Sequence, residues 1–379
     1  MAFSISNNKK DIPPPATNKG GVKEFAIKCK TKLDTCYEYE RDGDSKGYVL
    51  NPKLDFMIVT VPVKDRGLQK LMSAHITHML MDRADTQYEP YYSSHLPNKA
   101  KKNYHGYTHN LRITDLPGLA AIQFKPTNKT YNELKITMVP SRWTSKDVKK
   151  FWDTLCEISH GAIDVDYVIK HGNIRRLDWA IDFINVDTSD FLLEKITDNP
   201  RKNVAYYGSE GGVETYYIGP NGKKLSPQNY KAYIYDKRAK ALADGEKPIY
   251  KDLLHMRFEI RLLGKSLGEM TLNSYCNLAS KAENRFKIYK LTDYFAVPAS
   301  DTNIQWHMFG DSCKVRGADT ALEMLPFRTR DTYKKYMVSA QSLCWKPVLL
   351  WNSIPKHMKK ILGKPQGVSI KSGQSIKKL

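Results

Sequence analysis

The alternation of apolar and polar residues predicts regular secondary structure from about residue 55 onward. The run DFMIVTVPV at 55–63 is typical of a buried strand. In RGLQKLMSAHITHMLMDR at 66–83 the apolar residues recur at helical spacing, which predicts a helix. The stretch SRWTSKDVKKFWDTLCEIS at 141–159 predicts a second helix, with Thr144 or Ser145 as its N-cap.

Short segments rich in β-branched and aromatic residues predict further strands. They lie at 111–114, 119–126, 132–140, 175–186, 231–235 and 253–263. A short helix is predicted at 187–198. Because many of the gaps have hairpin length, the pattern predicts an α+β fold, a mostly antiparallel sheet with helices on one face. The elements at 55–159 and those at 175–263 are compatible with a pseudo-repeat, that is, two copies of a ferredoxin-like unit.

Composition divides the chain into four parts. Residues 1–50 are predicted to be a largely flexible N-terminal segment, and 51–265 the α+β domain. Residues 266–354 are predicted to form a basic helical domain that binds DNA. The tail 355–379 carries seven lysines and no acidic residue, which predicts a flexible polycation.

The net charge of the chain is +20, from 60 Lys and Arg against 40 Asp and Glu. This excess favours a polyanionic partner, because binding to phosphates releases counterions. The 23 tyrosines and six tryptophans add surfaces on which unpaired bases can stack. A basic protein without such a partner is the alternative. No apolar run approaches the roughly 20 residues that span a bilayer, so no membrane association is predicted.

Two acidic residues share one face of the predicted strand RRLDWAIDF. Asp178 and Asp182 point one way, and the alternating apolar residues point the other way, which we interpret as core. At the usual strand rise these carboxylates lie about 13 Å apart, so one ion cannot be bound by both without a bulge or a third element. The alternative to metal ligation is a solvated acidic face paired with Arg176 or a neighbour.

A third carboxylate lies in HMRFEIRLL, where Arg257, Glu259 and Arg261 share one face. If this strand pairs with the first one, Glu259 approaches Asp178 or Asp182. Such a cluster of oxygen ligands suits Mg²⁺ or Mn²⁺. A ladder of Arg-Glu-Arg salt bridges explains the same pattern.

The stretch YIYDKRAK places Tyr233 and Tyr235 on one face of a strand, followed directly by Lys237 and Arg238. Tyr235 is therefore either a core aromatic residue or a nucleophile beside cations. A phenol with a pKa near 10 is a poor nucleophile, and a neighbouring cation favours the phenolate.

Four segments in the order RLDWAIDF, TYYIGP, YIYDKRAK and RFEIRL resemble the replication initiation factor family. These are Rep_trans-type initiators of rolling-circle plasmids and some filamentous phages, together with related conjugative nickases. The resemblance covers roughly 110–265. Two positions depart from the family pattern, because Gly219-Pro220-Asn221 replaces Gly-Ser-Arg and Tyr233 replaces an arginine.

The resemblance implies a ferredoxin-like, HUH-related nickase core and an origin-specific, metal-dependent nickase and ligase of single-stranded DNA. Tyr235 would attack the scissile phosphate with help from Lys237, forming a 5′-phosphotyrosine and leaving a 3′-hydroxyl primer. Asp178, Asp182 and Glu259 would bind Mg²⁺ or Mn²⁺. The residues expected to contact DNA are Arg176, Tyr233, Arg238, Arg257, Arg330, Lys334 and Lys335.

The partners implied are single-stranded and duplex origin DNA, a host helicase and polymerase, and a second copy of the chain in a homodimer. The expected location is the cytoplasm of a bacterial host. Two alternatives stay open: a non-catalytic basic DNA-binding protein, such as a repressor or packaging protein, and a conjugative relaxase of the same family.

Overall fold

The structure of the protein is a computed structural model. It describes residues 35–40, 46–81, 87–91, 106–188, 191–195, 203–207, 213–218, 231–248, 253–263, 270–278, 284–293, 303–316, 318–339 and 344–363. The flexibility predicted for 1–34 and 364–379 lies outside the described residues.

Fourteen strands are present in the described part of the chain. They are β1 (Thr35–Glu40), β2 (Lys46–Leu50), β3 (Lys53–Val61), β4 (Tyr88–Pro90), β5 (Tyr107–Ile113), β6 (Ala120–Pro126), β7 (Leu134–Met138), β8 (Asn173–Ile184), β9 (Phe191–Lys195), β10 (Asn203–Tyr207), β11 (Val213–Ile218), β12 (Lys231–Asp236), β13 (His255–Leu263) and β14 (Tyr289–Asp293).

Twelve of these strands form one sheet. Ten lie side by side in the order β10-β11-β12-β13-β8-β3-β7-β6-β5-β4, while β2 pairs with both β1 and β8. The strands β9 and β14 form a separate pair. Every pairing between described strands is antiparallel. The predicted α+β class with a mostly antiparallel sheet is confirmed.

The α-helices of the described residues are interspersed with the strands along the chain. They are α1 (Arg66–Met81), α2 (Ser145–Ile158), α3 (Val165–His171), α4 (Lys237–Ala243), α5 (Leu272–Leu278), α6 (Asn303–Arg316), α7 (Ala318–Glu323), α8 (Phe327–Ser339) and α9 (Pro347–Ile361). The helix α2 begins after the predicted N-cap Thr144, which forms a reciprocal capping box with Asp147.

Some predicted boundaries and one predicted helix differ from the structure. Residues 191–195, predicted as helix, form β9, because the consecutive residues Phe191, Leu192 and Leu193 are all buried and a strand can bury both of its faces. Its partner β14 lies in the part predicted to be helical. The strands β1 and β2 lie in the predicted N-terminal segment, and residues 355–361 of the predicted tail belong to α9.

The strand β8 lies at the centre of the sheet. Its side chains alternate between an apolar face and a charged face. Trp179 and Phe183 are buried on the apolar face, where the indole nitrogen of Trp179 donates to the hydroxyl of Tyr275 in α5. Trp345 packs on the same face, with ring centroids 6.3 Å from Phe183 and 5.0 Å from Phe258 of β13. The C-terminal segment is therefore anchored to the middle of the sheet.

The buried aromatic cluster gives a test of this anchoring. We expect Trp345→Ala to lower the free energy of unfolding by about 3–5 kcal/mol, because it removes a large core side chain and leaves a cavity. Urea unfolding followed by circular dichroism measures this loss. The matched control is Phe327→Ala, whose ring is 74% exposed and should change stability little. Equal effects of the two substitutions would contradict the anchoring.

Candidate active site

Charged side chains from three neighbouring strands, β8, β13 and β12, lie on one face of the sheet because of the way these strands pair. Asp182 lies opposite Arg257, and Asp178 lies opposite Arg261. Between them Glu259 lies opposite Ala180 of β8 on one side and Tyr233 of β12 on the other. Because directly paired residues share a face, these side chains form one continuous surface.

Asp182 is the centre of a buried ion pair. Its side chain accepts from Arg257 through two parallel bonds, Nε to Oδ1 at 2.6 Å and Nη2 to Oδ2 at 2.9 Å. The Nε2 atom of His255 lies 2.9 Å from Oδ1, and Lys53 Nζ lies 3.9 Å from Oδ2. Asp182 is only 3% exposed and Arg257 only 7%. The acidic face is thus buried rather than solvated.

The charges around Asp182 determine its protonation state. Burial alone would raise the pKa of its carboxyl, but the charges and hydrogen bonds of Arg257 and His255 hold that pKa well below its usual range. Burial alone would lower the pKa of Arg257, and Asp182 raises it well above its ordinary value. Both groups are therefore charged at neutral pH.

Asp178 forms a second ion pair near the middle of β8. Its carboxylate accepts from Arg176 through both Nε, at 2.8 Å, and Nη2. It also accepts from Arg261 Nε, at 3.1 Å to Oδ2. The guanidinium of Arg176 in turn lies 4.1 Å above the ring of Phe56. Asp178 thus has two cationic partners, one of which the sequence had indicated.

Glu259 lies between the two ion pairs and accepts hydrogen bonds from two tyrosines. The hydroxyl of Tyr235 donates to Oε1 at 2.5 Å, and that of Tyr233 donates to Oε2. The two rings are stacked with centroids 5.8 Å apart. Glu259 is 5% exposed and Tyr235 2% exposed. The small side chain of Ala180 opposite Glu259 leaves room for this arrangement.

Three cationic side chains lie near the Tyr235 ring or near Glu259. Lys240 Nζ lies 4.8 Å from the ring centroid, and Lys237 Nζ lies 5.9 Å from it. Arg257 Nη1 lies 3.8 Å from Glu259 Oε1. The pKa of Lys237 is lowered by burial and then by the positive charges of Arg257 and Lys240.

The tyrosines themselves resist ionisation. Burial raises the pKa of Tyr235 above its ordinary value, and the negative charge of Glu259 raises it further. The same two causes raise the pKa of Tyr233. At neutral pH both phenols keep their protons and share the carboxylate between them.

The carboxylates of this face do not fit a single divalent ion. Asp182 and Asp178 are each neutralised by guanidinium groups, and Glu259 is held by two phenols. In the part of the chain that the structure describes, no three His, Cys, Asp or Glu side chains are grouped as metal ligands. A bound Mg²⁺ or Mn²⁺ stays a prediction of the family resemblance.

The residues expected to contact DNA lie in several places. Arg176 and Arg257 hold aspartates, and Arg238 lies half-buried at the start of α4. Arg330 of α8 donates to backbone carbonyls at the end of α7, including Leu322 at 3.1 Å. Only Lys334 and Lys335, on the same helix, are exposed.

Several residues of the site did not emerge from the sequence. His255 and Lys53 contact Asp182, Lys240 lies over Tyr235, and Asp55 lies 3.5 Å from Arg257. For His255 a signal existed, because it precedes Arg257 by two residues and so shares its face. Lys53 and Asp55 lie on another strand, and only the sheet order brings them close.

No protein-family model matches this chain, and a comparison with curated proteins gives no match. The resemblance to replication initiators therefore stays a prediction. Among the helices of the described residues, none is both long enough and apolar enough to cross a bilayer.

The buried ion pair gives a prediction about stability. We expect Asp182→Asn to lower the free energy of unfolding by about 3–5 kcal/mol, because it leaves the buried charge of Arg257 without its counterion. Urea unfolding at pH 7 measures the change. In the control Asp153→Asn, an exposed ion pair with Lys149 is lost, which should cost less than about 1 kcal/mol.

The same pair determines a response to acid. Because the folded pKa of Asp182 is depressed, its contribution to stability is complete above the unfolded pKa and is lost as pH falls through the folded pKa. Below about pH 5 the wild-type protein should therefore lose stability more steeply than Asp182→Asn. Parallel pH profiles for the two proteins would contradict the assignment.

Proposed function

We propose that the protein is a rolling-circle replication initiator that nicks and rejoins single-stranded DNA through a covalent bond to Tyr235. The observation that supports this is the 2.5 Å hydrogen bond from the Tyr235 hydroxyl to the buried carboxylate of Glu259, with Lys240 over the tyrosine ring and Arg257 beside the carboxylate. A ferredoxin-like, HUH-related arrangement of the antiparallel sheet is part of the proposal. So are origin DNA, a host helicase and polymerase as partners, and a cytoplasmic location.

In this proposal Tyr235 acts as a nucleophile with a base beside it. Because Tyr235 is only 2% exposed, the side chains that cover it must move before a DNA strand can reach its hydroxyl. Because its pKa is raised, the phenolate is not present before attack, and the proton must leave as the new bond forms. Glu259 Oε1 is within hydrogen-bonding distance of that proton. The Tyr233 hydroxyl, bonded to the other carboxylate oxygen, keeps Glu259 oriented.

The reaction then runs as a phosphoryl transfer. The Oη atom of Tyr235 bonds to phosphorus, the bond from phosphorus to the 3′ oxygen breaks, and the phenolic proton passes to Glu259. The departing 3′ oxygen takes up a proton from water and becomes the 3′-hydroxyl of the primer end. Because the phosphotyrosine bond conserves the energy of the phosphodiester, rejoining needs no nucleoside triphosphate.

Positive charge near Tyr235 suits the developing charge on the phosphate. Lys240 is exposed and lies over the ring, so it can move to a phosphate oxygen when the strand enters. Lys237 is partly buried beside it. Burial of the site strengthens such charge interactions relative to water.

A non-catalytic DNA-binding protein is the main rival. It accounts for the net charge of +20 and for the aromatic residues. It gives no reason for a buried glutamate that accepts hydrogen bonds from two tyrosines at the centre of a sheet. A covalent adduct between protein and DNA distinguishes the two classes.

We expect Tyr235→Phe to bind single-stranded DNA but to form no covalent adduct, because only the attacking oxygen is removed. The measurement is a denaturing gel of the protein incubated with Mn²⁺ and origin-containing single-stranded DNA. Tyr233→Phe should still form the adduct, at a reduced rate. Tyr167→Phe, which loses only a bond to the carbonyl of Pro62, is the control and should react at the wild-type rate. An adduct in Tyr235→Phe would place the nucleophile elsewhere.

A second variant tests the proton acceptor. Glu259→Gln keeps the size of the side chain but loses the base, so the rate of adduct formation should fall about 10²–10⁴-fold while DNA affinity is retained. Single-turnover kinetics from pH 6 to 9 measure the rate. A wild-type rate in Glu259→Gln would assign the carboxylate a structural role.

A further inference from the structure

A cavity of about 450 Å³ lies beside the candidate active site. Its walls combine cationic side chains with one carboxylate, an imidazole and two small apolar residues. The lining residues used below are Arg142, Lys237, Glu246, Lys247, Pro248 and His255.

Two side chains connect this cavity to the tyrosine site. Lys237 lines the cavity and lies 5.9 Å from the ring centroid of Tyr235. His255 lines it as well and lies 2.9 Å from Asp182 Oδ1, the atom that accepts from Arg257. A ligand in the cavity therefore lies next to the groups assigned to the reaction.

The cavity carries a net positive charge. Three of its lining residues are Lys or Arg, and its one carboxylate, Glu246, accepts from Arg142 at 2.7 Å. Because Glu246 neutralises Arg142, the positive charges of Lys237 and Lys247 are in excess. The pKa of Lys237 is lowered by burial and by the cations around it, and a bound anion relieves that repulsion.

We propose that this cavity binds one nucleotide of the cleaved strand, adjacent to the phosphate that Tyr235 attacks. Its volume exceeds the needs of a lone phosphate and falls within the range of about 300–1,000 Å³ typical of small-ligand pockets. Lys237 and Lys247, whose charges are in excess, would hold the phosphate, and Pro248 offers an apolar wall to the sugar or base. The placement beside the scissile phosphate rests on the proposed function.

The test uses thymidine 5′-monophosphate as the probe, with thymidine and inorganic phosphate for comparison. Isothermal titration should show that the nucleotide binds more tightly than either fragment. Lys247→Ala should weaken nucleotide binding about tenfold, the loss expected for one charge-assisted hydrogen bond. Arg142→Ala should weaken it by a similar factor, because the carboxylate of Glu246 is then left uncompensated beside the phosphate. Both side chains are exposed, so folding should survive, and circular dichroism checks it.

The matched control is Arg112→Ala, which breaks a similar ion pair, with Glu89 at 2.9 Å, outside the cavity. It should leave nucleotide affinity unchanged. Affinities that do not differ between Arg142→Ala, Lys247→Ala and wild type would overturn the proposal. The proposal would also be overturned if the nucleotide binds in the cavity but does not compete with a single-stranded oligonucleotide. The cavity would then bind a free nucleotide and not a nucleotide of the DNA strand.

These outcomes are separable from those of the proposed function. If the wild-type protein forms no covalent adduct while Arg142→Ala still weakens nucleotide binding and competition, the nickase proposal fails and the nucleotide cavity stands. If the adduct forms at Tyr235 while neither cavity variant changes nucleotide affinity, the cavity assignment alone fails.

Discussion

The buried pair between Asp182 and Arg257 is the interaction on which the charged face of the sheet depends. It joins the two central strands β8 and β13 where both are sealed from solvent. Removing either charge would leave the other buried and uncompensated, so the two residues must be kept together. The same arginine extends toward Glu259, which connects the structural pair to the candidate chemistry.

The candidate site differs from a simple metal cluster because each of the three carboxylates already accepts hydrogen bonds from protein side chains. Asp178 and Asp182 are neutralised by guanidinium groups, and Glu259 alone faces phenols. In the proposed reaction Glu259 can therefore accept a proton, while Asp178 and Asp182 stay paired with their arginines. Of the alternative Arg-Glu-Arg ladder, the contact of Arg257 with Glu259 at 3.8 Å is present, while Arg257 and Arg261 donate hydrogen bonds to Asp182 and Asp178.

Much of the fold could be predicted from local patterns, and much of the site could not. Alternation in RRLDWAIDF identified the core face, and the N-cap was narrowed to Thr144 or Ser145, of which Thr144 is the cap, because both signals are local. The helix predicted at 187–198 was wrong over Phe191–Lys195, which form a strand, since an apolar run fits either structure until its neighbours are known. The partners of Glu259 depend on which strands pair and in what register, and a single sequence does not specify that.

The alternation of charge along β13 also protects the register of the sheet. The apolar face would accept a shift of β13 along β8 by two residues, because alternation is preserved. In the observed register Glu259 lies opposite Ala180. A two-residue shift in one direction would bring Glu259 opposite Asp182, and in the other direction opposite Asp178. Like charges would then meet in a buried place, so both two-residue misalignments are disfavoured.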